Sequence, residues 1–407
     1  MFKTETNMED PSNPHCQQQS SMSRIMALLF ATVCGISVAN IYFAQPLLDQ
    51  LSNDFGIDDS FIGLVITITQ IFYGIGLLLL VPLGDLLNQR RLIVGQMILS
   101  TIALIIVGTA FSSAILFVGM ALVGLLAVVT QTLVAFAANI ASPTERGRIV
   151  GIVTSGIVIG ILLARTFAGI LTDLAGWRSV FIVSATIMLL LASLFFKVLP
   201  NVEREVKSIT YSELIRSTFT LLRQERTLRV RSVLAMLIFA DFSILWTSLV
   251  LPLSTPPIVL SHSAIGAFGL VGVAGALAAA SAGKLADRGY GQRTTGIALT
   301  LLLISWLFIS YLQQSLFALV VGIVLLDLAV QAIHVTNQTM ILPLRREAQS
   351  RLTAGYMIFY SIGSAAGSIA STQIYAHFGW EGVSLLGASV SAFALLFWVI
   401  SSRVKIG

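Results

Sequence analysis

The sequence predicts an all-α membrane protein of twelve transmembrane helices, built as two six-helix pseudo-repeats with both termini in the cytoplasm. Three observations predict it. Hydrophobic residues make up 56% of the chain and charged residues only 11%, against roughly 25% charged in soluble domains. Apolar runs of about 20 residues, the length a helix needs to cross roughly 30 Å of hydrocarbon, recur along nearly the whole chain. They lack the alternation over about ten residues that marks a membrane β-barrel strand. The third observation is a repeat. Asp85 and Asp287 are offset by 202 residues, Arg91 and Arg293 by the same number, Pro143 and Pro343 by 200, and the pairs Gly176-Trp177 and Gly379-Trp380 by 203.

In chain order, residues 1–23 are polar, contain Pro11 and Pro14, and read as a disordered cytoplasmic tail. The first apolar run is too long and too late for a cleavable signal peptide. Spans at about 24–50, 60–82, 92–110, 114–140, 149–173 and 179–199 form an N-terminal bundle over 24–199. The longest polar interruption, 200–229, reads as a central cytoplasmic loop. Spans at about 230–255, 263–283, 294–312, 315–342, 352–376 and 382–402 form a C-terminal bundle over 230–402, and 403–407 are a cytoplasmic tail.

Charge sets the orientation. Of 24 Lys and Arg, all but Arg165 and Arg178 fall in the N-terminal tail, the even-to-odd connections, the central loop and the C-terminal tail. By the positive-inside rule these segments are cytoplasmic. The formal net charge of +5 therefore reports topology, and no nucleic-acid partner is expected. Cys16 and Cys34 make no metal or disulfide pattern, and no cofactor is implied. The expected location is a multi-pass position in a bacterial inner membrane, with the chain acting as a monomer.

Parallel six-helix repeats bind substrate near the midplane between the halves in one large class of transporters. The segment GKLADRGYGQR carries Gly283, Leu285, Ala286, Asp287, Arg288 and Arg293; its first-half copy, VPLGDLLNQRR, keeps Leu83, Asp85 and Arg90 but has Val81, Leu86 and Asn88 at three other positions of the pattern. In these motifs the chain resembles the twelve-span major facilitator superfamily, over essentially its whole length after the tail. ANIYFAQPLLDQLSNDFGI in the first span resembles the drug- and sugar-efflux branch. GIVIGILLAR in the fifth matches the antiporter motif of that branch at Gly156 and Gly160, with Ile161, Ala164 and Arg165 where that motif has a proline and paired glycines. The resemblance implies alternating access, a small-molecule substrate and proton antiport. It also implies a gating role for Asp85, Arg90, Asp287, Arg288 and Arg293, charges at helix ends that hold one side shut while the other is open.

Ionisable groups in hydrocarbon cost at least about 2.5–3.5 kcal/mol and usually face the bundle interior. Mid-span examples here are Arg165, Asp241, Asp327 and His334. Asp327, Gln331 and His334 lie at i, i+4 and i+7, one stripe on one helix face. Asn40 and Gln45 in the first span, and Gln131 and Asn139 in the fourth, extend the polar census to the four helices that line the family's central cavity. A carboxylate in low dielectric favours its protonated form, which makes Asp241 and Asp327 candidate proton carriers; His334 titrates near neutrality in principle. Either carboxylate can equally be a static partner of Arg165, and His334 a hydrogen-bonded packing residue. Arg165 lies about 25 Å along its helix at 1.5 Å per residue. It reads either as a snorkelling residue or as a cavity group that anchors an anion or pairs with a titrating acid. Tyr42, Tyr356 and Tyr360 can contact substrate or merely pack. Gly151, Gly156, Gly160, Gly363 and Gly367 permit close helix approach.

These features favour a secondary transporter exporting a small organic solute in exchange for protons, with a proton-coupled uptake symporter as the nearest alternative and a non-transporting membrane sensor as a remote one. A channel needs a filter loop or a selectivity ring, a pump needs a phosphate-binding loop, and an enzyme needs a nucleophile and base or metal ligands. None of these patterns is present, so no enzymatic activity is expected.

Overall fold

The computed structural model describes residues 23–142, 145–200, 210–272, 281–345 and 348–403; the side chains of Asp85, Arg146 and Asp287 and the expected tail over 1–22 lie outside the described residues. Among the described residues there is no strand. Among the described residues nine helices are long and apolar enough to cross a membrane.

The first half runs through α1 (Arg24–Tyr42), a 3-10 turn (Gln45–Leu47), α2 (Leu48–Phe55), α3 (Leu64–Leu79), α4 (Leu83–Leu86), α5 (Gln89–Gly108), α6 (Ser113–Leu126), α7 (Val129–Ile140), α8 (Arg146–Ala175) and α9 (Trp177–Val198). The second half follows a short α10 (Tyr211–Gln224) with α11 (Arg226–Ser248), α12 (Val250–Ser254), α13 (His262–Val271), a π-helical turn (Ala286–Tyr290), α14 (Gly291–Ile309), α15 (Leu316–Ile341) and α16 (Gln349–Arg403). The shorter apolar helices α3 and α13 stand at the second and eighth expected spans. The 55-residue α16 holds the last two, because Gly379 (φ 61°, ψ −158°) breaks it.

Local chemistry places these ends. Ser112, Ser261 and Ser315 each accept a hydrogen bond from the backbone N–H three residues on, at the starts of α6, α13 and α15, satisfying a donor that has no partner inside the helix. The run over 24–50 is not one helix. Pro46 has no N–H to continue the ladder, and the chain passes through the 3-10 turn before α2. The expected loop at 200–229 also contains helix. A capping box between Thr210 and Glu213 starts α10, and α11 begins at Arg226.

The repeat is visible in the geometry. Gly176 (φ 77°) and Gly379 (φ 61°) both take the left-handed conformation that glycine tolerates best, and each is followed by a tryptophan, Trp177 and Trp380, that is 3% exposed. We call the end of the bundle carrying these two bends the turn face, and the end carrying 210–229 the loop face. Within each half a corresponding pair of helices touches backbone to backbone. A Cβ at Gly156 or Gly160 would stand 2.1 Å from Ala31 O or 2.2 Å from Gly35 O, packing α8 on α1; at Gly363 or Gly367 it would stand 1.9 Å from Met236 O or 2.4 Å from Ala240 O, packing α16 on α11. The antiporter-like glycines therefore pack inside a half. Gly151 meets open space.

The halves meet elsewhere. A Cβ at Gly169 of α8 would lie 2.1 Å from His262 O, and one at Gly266 of α13 would lie 2.4 Å from Arg165 O. On the other flank Thr67 donates to Ala365 O at 2.9 Å and Thr372 to Ser60 O at 3.2 Å, joining α3 and the turn before it to α16.

Candidate functional site at the interface of the halves

Arg165 stands ten residues from the end of α8 and Asp327 eleven from the start of α15, each about 15–17 Å below the turn face at 1.5 Å per residue. They come from different halves. Arg165 is 2% exposed, so it does not snorkel. Its Nε donates to Gln45 Oε1 at 2.9 Å, while its Nη2 finds no hydrogen-bond partner. Three aromatic rings surround the guanidinium, with centroids 3.8 Å (Trp246), 5.3 Å (Phe242) and 5.4 Å (Tyr42) away. Gln45 and Tyr42 belong to the first half, and Phe242 and Trp246 to the second.

Trp246 ties the arginine to the acid. Its ring face covers Arg165 while its indole N–H donates to Asp327 Oδ1 at 3.2 Å. The backbone of α13 closes over the other carboxylate oxygen, and a Cβ at Gly272 would lie 2.5 Å from Asp327 Oδ2. Among the described residues Asp327 forms no ion pair. A pocket of about 10 Å³ lined by Gln45, Pro46, Arg165, Trp246, Leu249, Val250 and Ile265 remains beside Arg165, room for a single water. The site is occluded. An O···O contact of 2.5 Å between Tyr42 and Tyr360 links the halves again, and Tyr73 packs edge-on against Tyr360 at 6.3 Å.

The other expected site residues are dispersed. Asp241 is fully buried, but its Oδ2 accepts from Ser391 at 2.5 Å, within the second half. Phe239, Phe242 and Trp246 share one helix face at i, i+3 and i+7, and Asp241 is turned about 100° off that face. His334 exchanges a hydrogen bond with Tyr356 OH at 2.9 Å and another with Gln338 Nε2 at 3.2 Å, so both ring nitrogens are occupied. Gln331 is partly buried between Asp327 and His334 on the same stripe. Asn40 accepts from Ser184 at 2.7 Å inside the first half, Gln131 bonds Tyr73, and Asn139 is exposed. Arg90 donates to Phe196 O and stacks on the Phe196 ring, again within one half. Arg293 lies over Tyr290, and Arg288 is exposed.

The family profile described as the Major Facilitator Superfamily matches residues 27–288 and 231–405. The chain belongs to the major facilitator superfamily. It is 45% identical over 377 residues to the uncharacterized transporter YgaY of Escherichia coli O157:H7, covering 93% of this chain and 95% of that protein. It is 30% identical over 381 residues to the transporter SCO4007 of Streptomyces coelicolor, covering 93% and 87%. Its fold matches the crystal structure of a bacterial homolog of the human lysosomal transporter Spinster, in an inward-facing and occupied conformation, with a TM-score of 0.75 at 15% identity, covering 94% of this chain and 97% of that one. Arg165 and Asp327 stand at the boundary between the two halves of this fold.

Sequence reasoning missed three features. The aromatic wall of Phe239, Phe242 and Trp246 shows a helical period, but apolar rings in a span read as ordinary packing. Arg231, 1% exposed, donates to Thr295 Oγ1 at 2.9 Å and to Asn337 Oδ1 at 3.1 Å, whereas beside a basic loop it reads as an orienting charge. A polar set also closes the turn face. His262 Nε2 lies 3.1 Å from Asp49, and the Asp173 carboxylate accepts from the backbone N–H of His262 at 3.2 Å and of Ser263 at 2.8 Å. Asp173 thereby caps α13 from the other half.

Proposed function

We propose that this facilitator is a proton-coupled secondary transporter of a small organic solute, working by alternating access in a bacterial inner membrane, with export as its direction. Twelve spans, a monomeric chain and cytoplasmic termini complete the reading; the basic residues at the loop face support that orientation. The turn face is then external, and the present conformation is closed to the outside. One observation carries the proposal: a buried cation of the first half and a buried carboxylate of the second share a single tryptophan. Rocking the halves apart alters the surroundings of both charges, and a carboxylate whose wetting changes can take up a proton on one side and release it on the other. Asp327 is the carrier in this reading. Asp241, held by Ser391 inside one half, keeps the same neighbours throughout. Export draws its support from the efflux-like first-span motif.

The unpartnered edge of Arg165 favours a second reading, uptake of solute and proton together. An anion that took Arg165 would leave Asp327 as excess negative charge in low dielectric, and a proton neutralises it. A solute screen in reconstituted vesicles with an imposed pH gradient tests both readings. Accumulation against the gradient of acid supports export, accumulation with it supports uptake, and transport insensitive to the gradient contradicts proton coupling altogether.

A further inference from the structure

The Arg165 guanidinium is nearly fully enclosed, yet one of its nitrogens has no hydrogen-bond partner, and among the described residues no carboxylate forms an ion pair with it. Asp327 acts on it electrostatically without an ion pair, and a buried charge whose hydrogen bonds are incomplete is among the costlier arrangements a protein can hold. Gln45 satisfies Nε. Trp246 covers a face of the group, with Phe242 and Tyr42 flanking. What remains free is the in-plane edge at Nη2, and a planar guanidinium edge is the geometry that meets a carboxylate.

We propose that the transported solute is a monoanion, a carboxylate on a flat apolar body, whose charged end docks on Arg165 Nη2 and whose body enters the ring cluster of Tyr42, Phe242 and Trp246 as the halves separate. The proposal rests on Arg165 belonging to the working cavity, which export and uptake share. Three observations select this chemistry. An organic cation would need an open ring face, and at this site the rings already point at Arg165. A second anionic group would meet Asp327. Arg231, the other buried cation among the described residues, is engaged by Thr295 and Asn337. A neutral oxygen can accept from Nη2, as the Gln45 amide does from Nε, but the charge-assisted bond to a carboxylate is the stronger one.

The test uses the full chain in detergent and matched probes in three charge states: benzoate with benzamide and benzylamine, and indole-3-acetate with indole-3-acetamide and tryptamine. Binding is read by isothermal titration calorimetry. Carboxylate members should bind at least about tenfold more tightly than their amides, and the amines should not compete. R165Q should remove that preference and R165K should retain part of it, with unchanged melting temperatures showing that both variants fold. Equal binding of all charge states, binding of the amines alone, no binding by any probe, or an R165Q profile like the wild type overturns the proposal. D327N separates it from the carrier reading. Loss of proton coupling is the failure expected of that variant, and carboxylate preference should survive it; if D327N transports with normal pH dependence, the carrier reading fails while the anion site stands.

Discussion

At the scale of single residues, the economy of charge in the membrane made the site partly legible. Because each buried ionisable group is costly, four mid-span residues stood out in the sequence, and two of them, Arg165 and Asp327, meet at the interface. Periodicity alone did not separate Asp327 from Asp241, since a helix pattern shows which residues share a face and not which neighbour that face meets. Trp246 was invisible as a functional residue because its chemistry is divided between a ring face and an N–H. Trp246→Phe keeps a ring over Arg165 and removes the donor to Asp327. A donor to a carboxylate favours its charged form, so the pH midpoint of transport should rise, with expression unaltered; pH profiles of vesicle uptake check this. Asp241→Asn should leave that profile in place.

At the scale of elements, most spans were legible to within a few residues because length and apolarity set them. Breaks were less so: Pro46 diverts the first run into a 3-10 turn, and Thr210 with Glu213 builds a helix inside a segment whose composition reads as loop. Close packing was half legible. Gly160 lies against the backbone of α1, so Gly160→Val should overpack that contact and destabilise the chain by about 1–3 kcal/mol, read as a lower melting temperature in detergent. The glycines that join the halves, Gly169 and Gly266, fall outside the motif that the family resemblance singles out. The turn-face latch adds a pH dependence. His262, one residue before the eighth span, has its pKa raised chiefly by the hydrogen bond to Asp49, with Asp173 adding to it. Its contribution to the closed turn face is therefore complete below the ordinary histidine value of about 6.5 and is lost as pH rises through the raised value. A cysteine replacing Thr166, whose hydroxyl donates to Gly266 O at 2.9 Å across the halves, should label faster from the turn face as pH rises. His262→Gln should abolish that change, and pH-independent labelling in the parent would contradict the latch.

For the whole molecule, the duplication read from matched Asp, Arg, Gly and Trp positions reappears in the matched bends at Gly176 and Gly379, the buried Trp177 and Trp380, and the glycine-lined contacts of α8 on α1 and α16 on α11. What the repeat did not disclose is how the halves close on each other, because contacts between them come from unrepeated residues: Asp173 on α13, Tyr42 on Tyr360, Arg165 beneath Trp246. Those contacts make the interface a two-state element whose balance a proton and a solute can shift only through different interactions in its two conformers. The most direct test of that coupling is proton flux on addition of a transported solute to vesicles loaded with a pH-sensitive dye, compared for the wild type, Asp327→Asn and Asp241→Asn. Solute should drive proton flux in the wild type and in Asp241→Asn, and none in Asp327→Asn despite continued solute exchange; undiminished flux in Asp327→Asn would contradict Asp327 as the carrier.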